Sequence, residues 1–174
     1  MKTSIKLFAL GIVIAGFGIN ANAQQSVTGT GATNATIITP LTIVKATDAD
    51  MNFGVVAVSA TTAGTVILTP ASARSVTGGV TLPSVTGTVG AAVFNVAGDG
   101  NRVFTISLPS SITLTGSVSG TMTVNTFTST PSGTGTLSTG TATVRVGATL
   151  VVGAAQAPGE YTNAADLAVT INYN

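Results

Sequence analysis

The last stretch of the chain alternates most regularly: Leu167, Val169, Ile171 and Tyr173 fall on one side of an extended backbone, and Ala168, Thr170, Asn172 and Asn174 on the other. This period of two predicts a half-buried strand, with a free edge to be paired by some other segment. The same alternation recurs upstream. Residues 35–45 read as a strand interrupted by Pro40, which cannot donate to a ladder and so places the segment at a sheet edge or a strand switch. Residues 47–50 are a turn, and residues 51–58 begin a strand in which Gly54 marks a bulge or a close backbone approach. Strands follow at 64–70 and 74–82, closed by Pro70 and Pro83, with Gly78-Gly79 a candidate tight hairpin inside the second.

Residues 91–96 and 102–108 flank the turn Gly98-Asp99-Gly100-Asn101, and Phe104, Ile106 and Leu108 are expected to point inward. Short strands are predicted at 112–114 and 121–127, a loop at 129–135, and two further strands at 141–146 and 148–152. Many short strands between Gly and Pro turns predict a two-sheet antiparallel sandwich. A β-solenoid is the rival, but no constant period survives from one segment to the next. Thirty-one threonines between Thr28 and Thr170, with Val, Ile and Gly close behind, favour strands over helices, so almost no helix is expected.

The start of the chain follows other rules. Lys2 and Lys6 precede an apolar run at 7–19 and then Ala21-Asn22-Ala23, the pattern of a secretory signal peptide over residues 1–23. The run is too short to span a membrane, and no later stretch approaches ~18 uninterrupted apolar residues. The expected product is secreted to the periplasm or cell surface without a membrane span. It has a flexible extension at 24–34 and a β-sandwich domain at 35–174. In the extension Val27, Gly29, Gly31 and Thr33 share one face at a period of two.

Charge and chemistry narrow the function. Beyond residue 23 the chain carries Lys45, Arg74, Arg102 and Arg145 against Asp48, Asp50, Asp99, Glu160 and Asp166, so no basic patch exists to neutralise nucleic-acid phosphates. There is no Cys, His or Trp. Packing and ladders must therefore hold the fold without disulfides, and most catalytic templates fail for want of an imidazole or thiol, so the chain is not expected to be an enzyme. Asp48 to Gly54 echoes a calcium loop, but the glycine comes one place late and Ser59 stands where a bidentate Glu belongs, which leaves a solvated turn. No catalytic, cofactor or metal residue is assigned. Tyr161, after Pro158-Gly159, is expected either to cap a corner by bonding back to the main chain or simply to pack. Tyr173 is expected to fill the sheet edge or the end of the core. The triplet Asn34-Ala35-Thr36 matches a glycosylation acceptor at a length that arises often by chance.

The order Ile37-Ile38-Thr39-Pro40, Met51-Asn52-Phe53-Gly54, Gly64 to Pro70, Phe104 to Pro109, Arg145 to Leu150, Pro158 to Tyr161 and Val169 to Tyr173 resembles the bacterial secreted domain of unknown function family 4402. That family is similar in turn to spore coat protein U and to chaperone-usher pilins. The resemblance implies an immunoglobulin-like, pilin-like sandwich: an exported structural or adhesive surface protein. A periplasmic chaperone and an outer-membrane usher would handle it, and it would self-associate by donor-strand exchange. In that scheme Val27, Gly29, Gly31 and Thr33 belong to the donor, and Leu167, Val169, Ile171 and Tyr173 to the terminal strand they complete. Many pilins carry a disulfide near the start, and this chain has no cysteine. The competing expectation is a stand-alone secreted binding module for glycans.

Overall fold

In the computed structural model, residues 26–163 and 167–174 are described; the signal peptide read at 1–23, the start of the extension at Gln24, and Asp166 lie outside them. The chain divides into two units, Met1–Thr36 and Ile37–Asn174. In the first, residues 26–36 are exposed and carry no helix or strand. The second is all-β and antiparallel. Its strands are β1 (Thr42–Lys45), β2 (Ala57–Val58), β3 (Gly64–Leu68), β4 (Arg74–Gly78), β5 (Val80–Thr81), β6 (Ala92–Ala97) and β7 (Val103–Ser107), followed by β8 (Ser111–Gly116), β9 (Thr121–Thr130), β10 (Thr134–Thr136), β11 (Thr141–Val152), β12 (Tyr161–Thr162) and β13 (Thr170–Tyr173).

Strand β11 organises the large sheet. One side of it pairs with β9 from Arg145 to Val151; along the other, its first half pairs with β6 and its second half with β3. The sheet therefore forks: β1 extends the branch through β6, β4 extends the branch through β3, and β8 and β12 continue beyond β9. The two strands expected at 141–146 and 148–152 are thus one strand of twelve residues, and Gly147 is the point where its partner changes. A Cβ at Gly147 would stand 2.2 Å from the Leu68 carbonyl oxygen and 2.6 Å from the Thr69 carbonyl carbon, so a glycine lets the end of β3 turn away here without breaking the ladder.

Opposite Gly147 the partner strand adjusts. Thr128 pairs Gly147 and Asn125 pairs Thr149, which leaves Thr126 and Phe127 facing Ala148 alone. This is a β-bulge, with Thr126 at φ 50°. It shifts the inward positions of β9 from Met122 and Val124 to Phe127 and Ser129, and Phe127 reaches both cores. β9 runs on to Thr130, and β10 begins at Thr134, so most of the loop expected at 129–135 is strand. Its Ser, Gly and Pro content signals turns locally, but Thr130 finds Arg145 as a partner and Gly135 finds Phe104.

Two cores lie on the inner face of the sheet. The first holds Val66, Leu68, Val124, Ala148, Leu150 and Val152 from the sheet, covered by Phe53, Val80, Met51, Val56, Leu82 and Val89. Its cover is largely irregular, apart from the two-stranded ribbon of β2 and β5. The tight hairpin expected at Gly78-Gly79 does not form: β4 pairs β3 and β5 pairs β2, and the glycines let the chain leave one sheet for the other. A Cβ at Gly79 would meet the Thr62 carbonyl oxygen at 2.0 Å. The second core holds Ala92, Phe94, Val96, Val144 and Val146 from the sheet and is covered by Phe104, Ile106 and Leu137, with Leu167, Val169, Ile171 and Tyr173 packed against it. Here the cover is a regular sheet in the order β10-β7-β13. The two layers make an antiparallel β-sandwich, as expected from the pattern.

Candidate assembly site

The predicted terminal strand is found at the rim of the second core. Ile171 and Tyr173 are half-buried and Thr170 and Asn172 exposed, and the same alternation continues back through Val169, Ala168 and Leu167. The ladder itself is shorter than expected, starting at Thr170 rather than Leu167. The register explains why. Thr170 pairs Ser107, so Ala168 would come opposite Pro109, which has no N–H to give.

Which main-chain groups remain at this edge follows from parity. The Asn174 N–H donates to the Val103 carbonyl at 3.1 Å. Hydrogen-bonded positions alternate in an antiparallel ladder, so Thr170 and Asn172 also address β7, while the N–H and C=O of Ile171 and Tyr173 point away from it. Across the same core β1 is also an edge. The Ala46 N–H donates to the Val93 carbonyl at 2.8 Å, so Thr42 and Val44 address β6, and Ile43 and Lys45 point outward. Pro40 lies just before this strand, where the sequence placed a sheet edge or a strand switch, and the strand expected at 35–45 forms only from Thr42. Leu41 and Ile43 pack into the second core from the β1 side, as Ile171 and Tyr173 do from β13.

The Tyr173 hydroxyl ties the two edges together. It donates to the Thr39 carbonyl at 2.8 Å and accepts from the Asp99 N–H at 2.7 Å. Gly98 makes room for it, since a Cβ there would stand 2.3 Å from the hydroxyl oxygen and 3.0 Å from Leu41 and Leu137 methyls. The adjoining loop is held by the Arg102–Asp99 ion pair at 2.6 Å and by the Thr139 N–H donating to Asn101 Oδ1 at 2.9 Å. Tyr173 thus fills the core end, as read from the sequence. Its partners Thr39 and Asp99 were not foreseen, because they lie 134 and 74 residues away and no local spacing marks them.

The other expected site residues are placed differently. Val27 is 87% exposed, and Gly29, Gly31 and Thr33 lie in exposed chain outside any strand. The shared face read over these four positions is therefore not a ladder within this chain.

Elsewhere the candidate chemistry resolves into structure. Asp50 pairs with Lys45, and Asp48 sits in a turn at φ 54°; among the described residues no group of three or more His, Cys, Asp or Glu could hold a metal. Tyr161 is a corner: its hydroxyl lies 2.8 Å from the Ala157 carbonyl and 3.1 Å from that of Ser119, and it accepts from Gln156 Nε2 at 2.8 Å. Arg74 spends its guanidinium on the main chain, donating from Nη1 to the carbonyls of Phe53 at 2.5 Å and Val55 at 3.1 Å. An open depression of about 440 Å3 lies over Thr42, Val44, Asn95, Ala97, Thr141 and Thr143 on the outer face of β1, β6 and β11. Its lining has neither an aromatic platform for a sugar ring nor an ionisable group. Among the described residues no helix is long and apolar enough to cross a membrane.

The fold and this rim define an all-β, antiparallel protein with edge strands from two sheets flanking one core. The chain belongs to the family described as Domain of unknown function (DUF4402), which matches residues 41–173. Neither a curated protein nor a solved structure matches it.

Proposed function

We propose that the protein is an exported structural subunit of the cell surface, of the pilin and spore-coat type, which self-associates by strand addition at the rim of its second core. The observation that carries this reading is the terminal strand. β13 pairs with β7 alone among the described strands, and its four residues include neither a charge nor a proline to blunt the free edge. The residues 26–36 of a neighbouring copy supply the added strand. Val27, Gly29, Gly31 and Thr33 face the second core, and their main chain pairs with Ile171 and Tyr173 or with Ile43 and Lys45. Such a contact is heterologous and does not close on itself, so it repeats along a fibre. The sequence pattern at 1–23 supports export, and a periplasmic chaperone and an outer-membrane usher fit an immunoglobulin-like subunit with an open edge.

Proline at two tail positions tests the mechanism, because it removes N–H donors from the added strand. The purified protein is expected to form a ladder of oligomers, and Gly29→Pro with Gly31→Pro to give monomers with unchanged far-ultraviolet circular dichroism. A peptide of residues 24–36 added in trans should then raise the melting temperature of the proline variant. Filaments that persist in the variant would sink strand addition by the tail.

A further inference from the structure

The free edge of β13 is complementary to itself. Its outward main-chain groups belong to Ile171 and Tyr173. Asn172, between them, is turned to β7, where it pairs Thr105 and its carbonyl accepts from the Thr105 hydroxyl at 3.3 Å. An antiparallel strand meets such an edge through hydrogen-bonded pairs at 171 and 173 and a non-hydrogen-bonded pair at 172. A second β13, related by a two-fold axis through Asn172, offers the same groups in reverse order. Ile171 then faces the other copy's Tyr173, Tyr173 faces its Ile171, and every outward N–H and C=O of β13 finds a partner. An axis through Ile171 would instead set Tyr173 opposite Val169, which lies outside the ladder.

We propose that unassembled subunits pair β13 against β13 and so cover each other's rim. The side chains select this occupant as the main chain does. Ile171 beside Tyr173 is an aromatic and β-branched cross-strand pair on the core-facing side, where both are half-buried in the single chain, and Asn172 meets Asn172 amide to amide on the exposed side. Residues 169–174 contain no charge, proline or glycine, the signature of segments that pair with their own kind. The tail, with Gly29, Gly31 and Thr33 on the corresponding face, is the poorer strand former. A two-fold contact closes on itself, so this pairing stops at a dimer, whereas strand addition propagates. So short a ladder is weak and reversible. While it lasts it withholds β13 from strand addition, and that role as a brake rests on the assembly proposed above; the pairing itself does not.

The chain has no cysteine, so a single introduced thiol reads the register. A non-hydrogen-bonded pair brings its Cα atoms to ~4.5 Å, inside the ~4.4–6.8 Å range of a disulfide. The test uses the protein carrying Gly29→Pro and Gly31→Pro, in which the tail cannot add. At the dilution where that protein runs as a monomer the dimer is a minority species, and mild oxidation traps it. Asn172→Cys is expected to cross-link at least about tenfold faster than Thr170→Cys, whose copies stand ~14 Å apart in this register. At higher concentration, Asn172→Asp sets like charges on the axis and should weaken the reversible dimer, read by sedimentation equilibrium, by at least about tenfold. A peptide of residues 24–36 should slow the cross-link by taking the same edge. The pairing is overturned if the two cysteine variants cross-link alike, or if Asn172→Asp leaves self-association unchanged; tail-dependent oligomers of the parent protein would then leave strand addition standing alone. A fast cross-link that the peptide leaves unchanged, while still raising the melting temperature, overturns the brake, because the tail then uses another edge. Should Asn172→Cys alter the circular dichroism, the aspartate variant decides.

Discussion

The two halves of the large sheet use the same inward alternation and are roofed in opposite ways. Over the second core the roof is a sheet, β10-β7-β13, whose main-chain groups are satisfied by ladders. Over the first core it is mostly chain without regular structure, at 51–56 and 82–90, together with the ribbon of β2 and β5. An irregular roof must satisfy its buried polar groups one at a time. Arg74 serves the Phe53 and Val55 carbonyls, Asn52 Oδ1 accepts from the Gly54 N–H at 2.8 Å, and Asn52 and Gly90 exchange N–H to carbonyl bonds at 2.8 and 3.0 Å. The sequence marks the difference with its scarce charge, since Arg74 is half-buried and turned to the main chain. The regular roof has the converse weakness: among the described strands its last one has no partner beyond it, and its end is held across the core by the Tyr173 hydroxyl. Order by ladder leaves a longer edge, at β13, whereas order by specific bonds limits the free edges to the short ribbon of β2 and β5 but depends on individual side chains.

The strongest way to break the comparison is to remove an anchor from each roof. Phe104 is fully buried in the regular roof, and Phe104→Ala should cost about 3–5 kcal/mol, read from urea unfolding, with loss of β13 protection in hydrogen exchange. Phe53→Ala in the irregular roof should cost less, because Phe53 is 8% exposed and its loop can settle into the space. Equal costs would mean the two roofs are equally rigid. Gly147→Ala acts at the junction of the two halves. Its Cβ meets main-chain atoms of Leu68, Thr69 and Pro70 that cannot turn aside, and a loss of about 3 kcal/mol is expected, with the faster amide exchange greatest in β3.

A smaller change sharpens the contrast. Arg74→Met keeps much of the side chain's packing and strips the donors from two carbonyls, so a loss of about 2 kcal/mol is expected. Amide exchange should accelerate at 51–58 and 82–90 while β7 and β13 stay as they were. Uniform acceleration would show that the two roofs open together. Tyr173→Phe should cost about 1 kcal/mol and free the Asp99 amide to exchange, with the first core untouched. The least effect belongs to Lys45→Ala. It removes an ion pair whose side chains are 46% and 72% exposed and should change stability by less than about 1 kcal/mol.

Much of this was legible in the sequence. Alternation located most strands, though 35–45 is strand only at Thr42–Lys45 and 51–58 only at Ala57–Val58, and it gave the inward face of Phe104, Ile106 and Leu108 and of the series from Leu167 to Tyr173, but not a strand at 27–33. Proline showed its effects locally: Pro40 stands before an edge strand, and Pro109 ends the reach of the terminal ladder. Gly54 reads as a bulge or a close backbone approach, and the structure has the close approach: a Cβ there would stand 2.3 Å from the Thr86 carbonyl oxygen. Of the candidate site, Leu167, Val169, Ile171 and Tyr173 pack on one face against the second core, while the Thr39 and Asp99 contacts to Tyr173 carried no sequence signal.

What the sequence determined by itself was therefore the faces of strands and the places where a ladder must stop, because both depend on one residue and its neighbours. What only the tertiary structure decided was which strand meets which. Gly78-Gly79 looked the same as a hairpin or as a passage between sheets, Gly147 the same as a break or as a change of partner, and residues 129–135 the same as a loop or as strand. The main chain offers every neighbour the same donors and acceptors, so the choice of partner is set by how distant segments close around the two cores. That closure is a property of the whole chain, and no window of ten residues contains it.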